Sequence, residues 1–203
     1  MLSAREIVAL QDRLTREWHE TLARQESSAG DWLGLVARQH RANFDLWHIE
    51  DEARAPRVTD SELAAVKRRI DPTNQLRNDL AEELDRKLLE WLADRGLPKA
   101  EVPLNSESPG LIVDRLSILG LKIYHTREET ERMDAPEGHA ERNRARLNVL
   151  EEQRTDLASC LDALWRDILS GVRCFKAYRQ MKMYNDPALN PAIYGDSRAE
   201  RGR

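Results

Sequence analysis

Between His40 and Arg54 the chain reads HRANFDLWHIEDEAR, a stretch in which imidazole, amide, carboxylate and guanidinium groups recur at helical spacing. At about 100° per residue, Trp32, Leu33 and Val36 share an arc of roughly 120°. His40, Asn43, Phe44, Trp47, Glu50, Asp51 and Arg54 continue that same arc. An apolar, core-facing stripe thus becomes ionisable without leaving its face. Buried charges persist when they are paired, and a buried polar group left without a partner costs on the order of 1–3 kcal/mol. The stretch is therefore either a paired interior network or the wall of a binding site.

A second segment repeats the pattern. Leu76, Leu80, Leu84, Leu88 and Trp91 form the apolar side of a helix, and Arg77 projects into the middle of that sector, where it needs a carboxylate. Asn74, Asn78, Glu82 and Asp85 lie on the adjoining flank, within about 80° of one another. A third segment carries Asp114 and His125 inward beside Ile118 and Leu121. The site reading brings these groups together: His40, Asn43, Trp47, Glu50, Asp51, Arg54, Asn74, Arg77, Asn78, Asp114 and His125 would line an interhelical cleft for a small anionic or sugar-nucleotide-like ligand. Near the C-terminus Lys176, Arg179 and Lys182 read as cations at a helix end, or as a lid presenting Lys182 or Arg179 to that ligand.

The cleft has a metal-dependent variant. Glu82 and Asp85 have ExxD spacing, which resembles the magnesium-binding pattern of all-α nucleotide pyrophosphohydrolases. Those enzymes add a preceding ExxE, whereas here the partner helix offers adjacent Glu50 and Asp51. Magnesium enters only under this reading. No HExxH, Glu-x-x-His or cysteine-based zinc pattern is present, nor a glycine-rich phosphate loop. Ser117 lies near Asp114, but an all-helical chain has no strand-turn-helix elbow to raise a nucleophile. Cys160 and Cys174 sit about 21 Å apart on a straight helix, too far to bridge. His19 and His139 read as solvated surface residues.

The elements that must position these groups are helices. Leu and Ala dominate the apolar residues, aromatics are only 5%, and Val and Ile are sparse. Ser3 and Glu6 open a first helix with capping-box spacing. A second runs from near Asp31 to Pro56. Thr59 and Glu62 cap a short third helix, which gives way at Asp71-Pro72 to a longer one ending at Gly96. Residues 97–110 form a loop, and Ser108-Pro109 start a helix that is apolar nearly all round and therefore belongs at the centre of the fold. After Pro136 a long helix continues past Gly171, bent there, through Phe175, Tyr178 and Met181.

The expected fold is an all-α, irregular bundle of about six helices around a central helix near 111–130. Residues 1–184 are expected to form a single helical domain, and 185–203 a turn-rich segment with a charged tail. A net charge of −4 with scattered Lys and Arg leaves no basic stripe for a phosphate backbone, so no general nucleic-acid binding is expected. With no long apolar run, a soluble cytoplasmic protein without membrane contact is expected, and a homo-oligomer is left open.

HRANFDLWHIEDEAR, NQLRNDLAEELD, LIVDRLSILGLKIYH and KAYRQMKMYNDPALNPAIY resemble the signatures of an uncharacterised bacterial family, domain of unknown function 4254, over roughly residues 3–195. The resemblance implies an all-helical fold and names no activity. Three readings stand: a ligand-binding module, an enzyme of the magnesium-dependent pyrophosphohydrolase kind, and a scaffold whose buried charges are purely structural.

Overall fold

The computed structural model describes residues 3–20, 32–179 and 188–189. Five helices account for nearly all of it: α1 (Ala4–Glu20), α2 (Trp32–Glu52), α3 (Asp60–Ala93), α4 (Pro109–Glu131) and α5 (His139–Leu169). Among the described residues no strand forms. The one extended pairing is an isolated parallel bridge between Leu104 and Cys174. The all-α expectation holds, with five helices where about six were expected. Asp31, Met181 and Lys182 lie outside the described residues, so the proposed N-cap and lid are not placed.

α4 is the centre of the bundle, in contact with each of the other four helices. Its sequence explains this, since Ile112, Val113, Leu116, Leu119, Leu121 and Ile123 bury apolar surface around much of its circumference. Ile112, Val113 and Leu116 share a core with Leu35 and Val36 of α2, Leu84, Leu88 and Leu92 of α3, and Leu161, Trp165 and Ile168 of α5. Ser108 caps α4, its hydroxyl accepting from the Leu111 N–H, with Pro109 in the first turn. α3 and α4 approach so closely at Gly110 that a Cβ there would lie 2.3 Å from the Ala81 carbonyl oxygen. α1 docks through its Ala4 N–H on Asp162 of α5 and through Asp12 on Arg154.

Two boundaries differ from expectation. α3 is continuous through Pro72, although proline removes one backbone hydrogen bond. The Arg68 carbonyl that loses its donor belongs to an exposed residue, and only Val66 is buried between residues 60 and 73. Leu76, expected on the apolar side, is 51% exposed. α5 stops at Leu169 instead of bending at Gly171. Gly171 takes φ +70°, and the Val172 N–H returns to the Asp167 carbonyl, closing the helix. Phe175 is buried as its apolarity predicts, on an extended segment held by Cys174 against Pro103 and Asn105.

Among the described residues no helix is long and apolar enough to cross a membrane.

Candidate functional site

The 40–54 stretch divides into two halves. Its first half is a buried network. His40 is fully buried between α1 and α4 and stacked on Trp18. The Thr15 hydroxyl donates to the Gln11 carbonyl at 2.9 Å, so it accepts from His40 Nε2, also at 2.9 Å. That assigns the tautomer: His40 Nδ1 carries the lone pair and accepts from the Ser117 hydroxyl at 2.7 Å. Ser117 in turn accepts from Asn43 Nδ2 at 2.9 Å, and the same amide donates to Asp114 at 2.9 Å. Gln39 Nε2 adds a donor to Asp114 at 2.5 Å, and Arg77 Nε lies 3.2 Å from the same oxygen. Burial pushes the His40 pKa down to about 3, so its ring is neutral. Burial also raises the Asp114 carboxyl, opposed by Arg77 and by the two amides.

The second half lines a cavity. Asn43, Leu46, Trp47, Glu50, Asp51 and Arg54 meet Arg77 of α3 and Ile118 and Leu121 of α4 around a volume of about 410 Å³. Trp47 supplies a flat apolar wall. Arg54 is tied back to Glu50, 3.0 Å from its carboxylate and 2.6 Å from its carbonyl. Arg77 differs from it: 25% exposed, it makes the one ion pair to Asp114 and no hydrogen bond among the described residues. A larger groove of about 830 Å³ between α4 and α5 contains Cys160, with Arg115 on its wall paired to Glu107.

A cluster that the sequence reading missed lies beside this cavity. His19 of α1, His48 of α2 and His125 of α4 are each half-buried, and they present ring nitrogens that all lie within 4.8 Å of one another. His19 is therefore not a solvated surface residue; its ring stacks on Tyr124 at 4.3 Å. His125, expected in the cleft, stacks instead on Trp47 at 4.8 Å, so Trp47 is the wall shared by cavity and cluster. His139 is likewise half-buried, 2.7 Å from Glu129. A signal for His19 was present, since Gln11, Thr15 and His19 fall at i, i+4 and i+8 beside buried Ile7, a polar stripe on a core-facing side of α1.

The remaining expected residues are dispersed. Asn74 is half-buried and Asn78 buried on α3. Asp85 serves the start of α4, accepting from the Ser108 hydroxyl and, at 2.7 Å, from the Gly110 N–H. Burial raises its pKa to about 6 against the pull of those two donors. Glu50 and Asp51 line the cavity without Glu82 or Asp85. Among the described residues these four carboxylates do not gather into a metal-sized group.

The chain matches the family described as Protein of unknown function (DUF4254) over residues 33–177. It belongs to that family. The DUF4254 span takes in nearly all of α2 and the whole of α3, α4 and α5, and so every residue lining the cavity. It stops short of the KMYNDPALNP string and begins after α1, which supplies Thr15 and His19. No curated protein and no solved structure matches the chain.

Proposed function

We propose that the cavity between α2, α3 and α4 binds a small anionic, ring-bearing molecule of the sugar-phosphate or sugar-nucleotide kind, and that the protein acts as a binding module. The observation that carries this reading is Arg77. A guanidinium offers five donors in a planar fork suited to carboxylate or phosphate, and here it stands in a cavity wall with its Nε turned to Asp114 and its terminal nitrogens in no hydrogen bond among the described residues. Trp47 beside it offers a face on which a sugar or base ring can stack. Glu50 and Asp51 supply acceptors for hydroxyl groups, while both amide hydrogens of Asn43 are committed to Asp114 and Ser117. A volume of about 410 Å³ suits a ligand of this size.

The buried half of the stretch supports a structural role, because each hydrogen of the His40, Ser117 and Asn43 chain has an acceptor within the fold. The magnesium-dependent hydrolase reading gains no support from the carboxylates, since Asp85 is committed to the α4 terminus.

The test is a thermal-shift and calorimetric screen of the full chain against nucleoside mono- and diphosphates, sugar phosphates and nucleotide sugars. The expected result is saturable one-to-one binding by one class, weakened by Trp47→Ala. Absence of any binding tighter than about 1 mM, or binding indifferent to Trp47→Ala, overturns the reading.

A further inference from the structure

The histidine cluster is independent of the cleft reading, and its chemistry is different. His19, His48 and His125 come from three helices, α1, α2 and α4. Their ring centroids are 5.1 to 5.8 Å apart and no two rings are parallel, with interplanar angles of 51° to 72°. The rings therefore surround a common space; they do not stack in a column.

Each Nδ1 is already engaged. His19 Nδ1 donates to the Thr15 carbonyl at 2.7 Å, and His48 Nδ1 to the Phe44 carbonyl at 2.8 Å. His125 Nδ1 donates to the Glu128 carboxylate at 2.9 Å. Two backbone carbonyls one turn earlier and one carboxylate thus fix the tautomer of all three rings, placing the lone pair on Nε2. Histidines that ligate metals are held in this way: the second nitrogen is hydrogen-bonded to a carbonyl or carboxylate, which orients the ring and raises its basicity. The Nε2 atoms of His19 and His125 are buried and have no hydrogen-bond partner. A buried acceptor with nothing to accept is a cost that a ligand in the shared space would remove.

We propose that His19, His48 and His125 bind one divalent transition-metal ion of the zinc class through their Nε2 atoms. Three imidazoles around zinc at 2.0–2.1 Å place their nitrogens about 3.4 Å apart, and the ring nitrogens here already lie within 4.8 Å of one another. Three nitrogen ligands without a carboxylate favour zinc, copper, nickel or cobalt over magnesium or calcium. A three-histidine set leaves the fourth position open to water or to a further ligand. The planes of the rings are set by aromatic neighbours: Tyr124 on His19, Phe44 on His48 and Trp47 on His125.

The experiment uses the full chain, stripped with EDTA and dialysed. It is titrated with ZnCl2 by calorimetry, with CoCl2 by visible absorption, and with MgCl2 in parallel. The proposal expects one equivalent of zinc, a ligand-field spectrum for cobalt, a rise in Tm with zinc, and no magnesium binding at the same concentrations. His48→Gln and His125→Gln should each weaken zinc binding at least tenfold, and Glu128→Gln about tenfold through His125. His139→Gln, on α5 beside Glu129, should leave it unchanged. Failure of the wild-type chain to bind one equivalent of zinc saturably overturns the proposal without recourse to any variant. So does equal zinc affinity in a folded His48→Gln protein, or magnesium binding as tight as zinc.

Discussion

Ser117 Oγ lies 2.7 Å from His40 Nδ1 and 2.9 Å from Asn43 Nδ2, donating to the ring while accepting from the amide. This one hydroxyl sets the direction of a proton-ordered chain from Asp114 on α4 through α2 to Thr15 on α1, and it requires a neutral His40.

Stability should therefore fall in mild acid. The folded-state pKa of His40 is about 3, below its ordinary 6.5, so between those values the unfolded chain binds the extra proton. The contribution is fully present above pH 6.5 and is lost as the pH falls towards 3, at about 1.4 kcal/mol per unit and on the order of 5 kcal/mol in all. His40→Gln should lower stability by about 1–3 kcal/mol at pH 7.5 and flatten the acid slope. Urea denaturation of both proteins at a series of pH values measures this; parallel pH profiles would refute the assignment.

Removing Arg77 should cost more at high pH than at low. In Arg77→Met the Asp114 carboxylate, 8% exposed, keeps its two amide donors but loses its cation. Its folded-state pKa, already raised by burial, moves further up. A raised carboxyl pKa gives stability that is present at low pH and lost as the pH rises through the folded value. The variant should be destabilised by about 2–3 kcal/mol at pH 8 and by less at pH 5, as read from chemical denaturation. A pH-independent loss would count against a buried, ion-paired Asp114.

Gly110→Ala should destabilise by at least about 2 kcal/mol, because its Cβ would meet the Ala81 carbonyl oxygen at 2.3 Å and the Asp85 carboxyl at 2.8 Å, so α3 and α4 must separate. Thermal unfolding tests this. An unchanged Tm would mean that the helices are not so close.

Much of this was legible in the chain. Periodicity found the helices and the central position of α4, and the wheel showed that Arg77 needs a carboxylate, which proves to be Asp114. Six of the residues named for a cleft line one cavity: Asn43, Trp47, Glu50, Asp51, Arg54 and Arg77. Periodicity does not say how far a helix stands clear of its neighbours, so Pro72 looked like a break when exposure makes it tolerable. It also carried α5 past Gly171, because Phe175 is buried whether helical or extended. Asp85 and Glu82 share a flank, yet the destination of Asp85 depends on where α4 begins. His19 was overlooked because its polar stripe on α1 was not read against those of α2 and α4, and only the packing of three helices brings it to His48 and His125.

In the proposed complex Arg77 holds Asp114 through its Nε and presents the terminal nitrogens of its guanidinium to a ligand in the cavity. Arg77→Lys keeps a cation beside Asp114, and with it the fold, while removing the planar fork. The decisive measurement is the calorimetric affinity of wild type and Arg77→Lys for the tightest-binding phosphorylated sugar or nucleotide sugar. At least a tenfold loss, with an unchanged circular dichroism spectrum, is predicted. Equal affinity in the two proteins would contradict the account.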